Sequence, residues 1–138
     1  MALINFFSEE ISFKLSHPRK TSKWIQLCLK KERKSLRSLN FIFCTDANLR
    51  QKNIQYLNHR TFTDIITFNQ SDDRLIEGEI YISIDRVKEN AADLSLSFDE
   101  ELHRVIIHGV LHLSGYGDKK QSEKELMRKK EDACLSLR

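Results

Sequence analysis

Between residues 99 and about 114, apolar side chains surround most of the helical circumference: Val105, Ile106, Ile107, Val110, Leu111 and Leu113 leave no broad wet face. A helix apolar nearly all round is stable only with other elements packed about it. It is too short to span a bilayer, which takes about 20 consecutive apolar residues. No other run in the chain reaches that length either, so no membrane association is expected. The fold must therefore be organised around this helix as its centre. The same helix nonetheless carries His103, His108 and His112.

The other segments read as elements that could enclose it. Leu3–Phe7 and Leu39–Cys44 are short apolar runs of strand length. Ile65–Phe68 is β-branched and aromatic, and in 79–84 Ile80, Ile82 and Ile84 alternate with Glu79, Tyr81 and Ser83, the period of a half-buried strand. Pro18 suits the first turn of a helix. From there Trp24, Ile25, Cys28, Leu29 and Leu36 recur at helical spacing among lysines. Thr45-Asp46 can cap a second helix carrying Leu49, Ile54 and Leu57. Asp85 can cap a short one through Leu94, Ser97 or Asp99 the central one, and a last helix runs from about Gln121 to Leu135. The order β-α-β-α-β-β-α-α-α predicts an α+β fold, a small mixed sheet with packed helices. With 138 residues, 40% hydrophobic and 31% charged, the chain fits one domain over 1–138.

Backbone freedom is concentrated in one place. The chain has four glycines, and Gly109, Gly115 and Gly117 fall within nine residues. Three widely spaced cysteines, Cys28, Cys44 and Cys134, have apolar neighbours and no Cys-x-x-Cys spacing. They read as reduced, buried residues, not as a disulfide framework. The segment Met1–Phe7 has no basic stretch and meets Ser8-Glu9-Glu10 too soon for a secretory leader. The default address is the cytoplasm.

The chemistry is concentrated at 108–118. His108 and His112 stand four residues apart and project from one helix face, so both imidazoles can share a metal. Gly115 is placed to end the helix in the left-handed conformation, after which the chain turns back and presents Asp118. The pattern His-x3-His-x2-Gly-x2-Asp has the geometry of the zinc endopeptidase motif with Asp as third ligand. A histidine pair alone is a weak signal. A pair on the most buried helix, followed by a terminating glycine and an acid, is a stronger one, because desolvated histidines need partners. Zinc proteases place a Glu general base directly after the first His. Gly109 occupies that position here, which disfavours a peptidase. A glycine inside a helix costs about 0.5–1 kcal/mol relative to alanine, so its presence implies that bulk is unwelcome there.

The run His108-Gly-Val-Leu-His-Leu-Ser-Gly-Tyr-Gly-Asp118 resembles the signature His-Gly-x-Leu-His-Leu-x-Gly-Tyr-Asp-His of the YbeY family. These are rRNA maturation factors, bacterial single-strand-specific metallo-endoribonucleases. Thr63-Asp64-Ile65-Ile66-Thr67-Phe68 is similar to the family's Thr-Asp-Val-Leu-Ser-Phe strand, and Glu77–Ser83 to its Gly-Asp-Ile-x-Ile-Ser strand. The resemblance implies a small α+β fold, one Zn²⁺ per chain, and a hydrolase acting in 16S rRNA maturation and ribosome quality control. Its implied partners are 16S ribosomal RNA and the small ribosomal subunit, not DNA. Three departures stand out: Asp118 in place of His, Gly117 in place of Asp, and Leu57 after Tyr56 where the family has an Arg implicated in activity. Arg60 or His59 could stand in for that Arg, though spacing alone does not assign either.

The charge is uneven. Residues 14–37 hold nine Lys/Arg and one acid, whereas residues 64–101 hold three Lys/Arg and eleven acids, within an overall +3. The basic segment, with Lys23, Lys30, Lys34 and Arg37 on one broad helix face, could track phosphates or be an ordinary solvated face, and the acidic stretch is expected to lie away from an RNA path or to face a basic partner protein. Tyr116 reads as a packing residue before a base-stacking one, His103 as structural, and His17 and His59 as loop residues without a role. The leading reading is a zinc-dependent endoribonuclease with metal ligands His108, His112 and Asp118, of which His108 is the residue catalysis is expected to need. The alternative is a non-catalytic ribosome-assembly or RNA-binding factor with a structural zinc. A closed four-ligand site would favour the second and an open three-ligand site the first.

Overall fold

The computed structural model describes residues 3–57 and 63–138. The elements, in order, are β1 (Ile4–Ser8), α1 (Pro18–Lys31), β2 (Ser35–Cys44), α2 (Asp46–Leu57), β3 (Ile65–Asn69), β4 (Leu75–Ser83), α3 (Ile84–Asp93), α4 (Phe98–Leu113) and α5 (Gln121–Leu135). The sheet order is β1-β2-β4-β3. β1 and β4 flank β2 in parallel, and β3 pairs antiparallel with β4. The expected α+β architecture and element order are both observed.

One sheet face supplies the core. Leu39, Phe41 and Phe43 of β2 and Ile80 and Ile82 of β4 are buried on it, and α4 packs there with Val105, Ile106, Ile107, Val110 and Leu111 also buried. The approach is close at Gly109 on the helix, while Gly78 on the sheet is hemmed in chiefly by the neighbouring strand. A Cβ at Gly109 would lie 2.8 Å from Ile65 Cδ1 and 3.0 Å from Ile80 Cδ1. A Cβ at Gly78 of β4 would lie 3.3 Å from the Leu113 methyls and 2.5 Å from the Phe68 carbonyl. α2 covers part of the opposite face, where Cys44, Leu49 and Ile66 form a smaller cluster.

The ends of the elements depart from the sequence reading for local reasons. α1 stops at Lys31 because Arg33 adopts φ 58° and the Lys34 N–H turns back to the Leu29 carbonyl. Leu36 and Arg37 therefore lie on β2, and Lys34 and Arg37 do not share a helix face with Lys23 and Lys30. β2 and β4 begin at Ser35 and Leu75, earlier than expected, because their parallel pairing extends to those residues. Ser83, not Asp85, caps α3, its hydroxyl accepting from the Arg86 N–H at 3.1 Å. Thr45 caps α2 through Asn48, and Ser97 forms a capping box with Glu100 at the start of α4. All three cysteines are buried and free. Burial pushes the Cys44 thiol up to about 12, which leaves it unreactive at neutral pH. No helix among the described residues is long and apolar enough to cross a membrane.

Gly109 tests this packing. Gly109→Val should lower stability by about 1–3 kcal/mol, the usual cost of overpacking a filled core. Urea unfolding of both proteins measures it, and an unchanged midpoint would show that the helix–sheet approach is loose.

Candidate metal centre

α4 is buried over most of its surface, but one strip stays accessible, and His108 and His112 lie on it, their side chains 22% and 24% exposed. The rings meet edge to face with centroids 4.6 Å apart. Beyond Ser114 the helix closes with two reversed bonds, Gly115 N–H to the His112 carbonyl at 3.0 Å and Tyr116 N–H to the Leu111 carbonyl at 3.1 Å. Gly115 has φ 108°, the left-handed turn its position predicts. Next, Gly117 leaves room for Glu123, whose carboxylate would lie 2.5 Å from a Cβ there. Glu123 in turn accepts from the Lys120 N–H at 2.9 Å and starts α5. The loop between these two fixed ends delivers Asp118.

Asp118 Oδ2 lies 3.3 Å from His108 Nε2 and 3.1 Å from His112 Nε2. A tetrahedral ion with bonds of about 2.0–2.2 Å needs ligand atoms roughly 3.3–3.6 Å apart; both separations from Asp118 are close to that range, and all three ligand atoms lie within 4.8 Å of one another. The cluster of His108, His112 and Asp118 is the one group of three such ligands among the described residues. Burial alone would raise the Asp118 carboxyl, but the two imidazoles outweigh it and hold the group below its ordinary range.

Glu131 of α5 orients the first histidine. Its side chain is 7% exposed, and Oε2 accepts from His108 Nδ1 at 2.6 Å. Oε1 accepts from Arg104 Nη1 at 2.8 Å, while Arg104 Nη2 donates to Asp132 at 2.7 Å. With Nδ1 committed to Glu131, the Nε2 of His108 is the nitrogen turned toward Asp118, as in carboxylate–histidine–metal arrangements. Burial lowers the His108 imidazole, but the Glu131 hydrogen bond and charge override it and leave it raised. Burial likewise opposes ionisation of Glu131, but the bonds from His108 and Arg104 hold its carboxyl down.

A cavity of about 400 Å³ opens beside His108 and Asp118, between α4 and α5. Asp64 and Glu101, the two ends of the acidic stretch, line it. Burial pushes both carboxyls up, and Glu101 Oε1 is buried without a partner. The lining cations come from α4 and α5, and none from the basic segment 14–37. Tyr116 is half-buried; its hydroxyl donates to Glu32, and Lys130 lies over its ring. His103 is buried against Trp24 and bonded to the Asp99 carbonyl, a structural residue. His59 and Arg60 lie outside the described residues.

Glu131, Arg104, Asp64 and Glu101 were not singled out from sequence as site residues. Glu131 left one signal: it falls between Met127 and Cys134 at helical spacing, an acid on the buried stripe of α5. Acids on such a stripe need a buried partner.

Two outcomes test the site. Asp118→Ala should weaken zinc binding clearly, leaving two protein ligands, while Asp118→His should retain it; chelator competition measures both, and tight binding by Asp118→Ala would remove Asp118 from the ligand set. Glu131→Gln should weaken zinc by about 10–100-fold. In zinc-free protein it should also lower the Tm more at pH 6 than at pH 9. The sign follows from linkage. The raised His108 contributes stability fully below its unfolded value of about 6.5 and loses it as pH rises through the folded value. Glu131, depressed, contributes above about 4.3 and loses that stability only as pH falls through its lowered value.

Residues 4–137 match the family described as Endoribonuclease YbeY. A protein of that name from Cytophaga hutchinsonii is 50% identical over 136 residues, covering 98% of this chain and 95% of that one. Another from Amoebophilus asiaticus is 51% identical over 135 residues, covering 97% and 92%. The solution structure of a Thermotoga maritima protein superposes with a TM-score of 0.69 at 26% identity, covering 97% of this chain and 87% of that one. A family match over nearly the whole length and relatives of about half-identical sequence together establish that the chain belongs to the YbeY endoribonuclease family.

Proposed function

We propose that this chain is a single-strand-specific, zinc-dependent endoribonuclease of 16S rRNA maturation and ribosome quality control. In this reading His108, His112 and Asp118 hold one Zn²⁺, and the substrate is the RNA of the small ribosomal subunit. The observation that carries it is the cluster of three ligand side chains beside an open cavity, in a member of this family. Three protein ligands leave a position for water or substrate, whereas a structural zinc takes four. Zinc bound there supplies Lewis acidity toward a phosphoryl oxygen and a water of lowered pKa.

The chain's own residues do the rest. Glu131 holds the His108 ring with Nε2 presented, and Arg104 holds Glu131. Asp118 makes the donor set less positive than three histidines would, and harder, which favours acceptance of Mn²⁺ beside Zn²⁺. Half-buried Asp64 and buried Glu101 hold protons more readily than exposed carboxyls and share the cavity with the ligands.

Purified protein should carry about one zinc per chain and cut single-stranded RNA while sparing a duplex. Chelation should abolish cutting and added zinc restore it; His108→Ala should reduce it to background. Stoichiometric zinc in a folded protein that leaves RNA intact would instead support the non-catalytic RNA-binding reading.

A further inference from the structure

The cavity presents a problem for an anionic substrate, because Asp64, Glu101, Asp118 and Glu131 all line it. Arg104 offsets Glu131 alone among them, since one guanidinium nitrogen donates to Glu131 and another to Asp132, outside the lining. Two further cations line the same wall, Lys124 and Arg128 of α5. Both are exposed, and neither makes an ion pair among the described residues. They stand four residues apart, about 6 Å along the helix axis at 1.5 Å per residue, so both side chains leave the same face of α5.

Unpaired cations beside four carboxylates are positioned to meet an anion arriving from solvent. Resting on the RNA-cleaving reading above, we propose that Lys124 and Arg128 clamp the phosphodiester backbone of a single strand at the mouth of this cavity. They offset the carboxylate wall and hold flanking phosphates while the scissile one lies by His108 and Asp118. The contacts are to phosphate alone, so the clamp is indifferent to base sequence and sensitive to salt.

The test uses zinc-loaded protein and a labelled 2′-O-methyl single strand, which keeps every phosphate and slows scission. Fluorescence anisotropy over a salt series gives the slope of log K against log salt. Each phosphate contact to a single strand contributes about 0.7 to that slope. The pair K124Q/R128Q should lower it by about 1.4 and weaken binding roughly 10–30-fold at 0.1 M salt. K124R/R128K should keep the wild-type slope, and zinc content should be the same in all three. Neutralising Lys30 and Lys31 on α1, neither of which lines this cavity, should leave the slope unchanged. An unaltered slope in K124Q/R128Q, with wild type binding and cutting RNA, overturns the clamp and leaves cleavage at the metal standing. A wild type that neither binds nor cuts RNA overturns the reading on which the clamp rests, and the clamp with it.

Discussion

The contact on which the rest of the structure depends is the one between α4 and the sheet, where Gly109 lies against Ile65 and Ile80 and Leu113 lies over Gly78. A helix pressed this closely to two strands cannot rotate or slide without losing packing on several sides. Its accessible strip is therefore fixed, and so are the two imidazoles on it. Burial also imposes a polar requirement. His103 meets it with the Asp99 carbonyl, and His108 meets it with Glu131, itself held by Arg104. The same close packing thus builds the core and orients the candidate ligands.

The parts of this arrangement legible in the sequence are the local ones. Histidines four residues apart, a glycine where the helix must end and an acid three residues later are separated by one or two turns, and helix geometry alone relates them. The order of strands and helices is legible for the same reason, since each period is read within one segment. Leu36 was misassigned because helical spacing continued past Arg33, whose positive φ ends α1 and is not encoded by its side chain. Glu131 and Arg104 are 27 residues apart in sequence and form an ion pair only after α4 and α5 pack together. No periodicity within either segment specifies that contact. Asp64 and Glu101 gain their environment in the same non-local way.

Charge shows the limit of reading by segments. The basic stretch 14–37 and the acidic stretch 64–101 look like opposite surfaces when counted along the chain. In the fold, α1 and β2 share the basic stretch, while both ends of the acidic stretch reach the cavity. The cations that share this wall come instead from α4 and α5, whose mixed composition averages their charge away.

The tether at Tyr116 has a consequence for how the ligand loop is ordered. Tyr116, Glu32 and Lys130 come from three distant segments and interlock beside the loop that ends in Asp118. These contacts hold the flank of that loop without using any candidate ligand, which reduces the conformational entropy a bound ion would have to remove. Such a site responds to heat as a rigid receptor does. The affinity of a metal held there would change gently while the three segments stay docked and be lost together with them, so its occupancy would be an all-or-none readout of the folded chain.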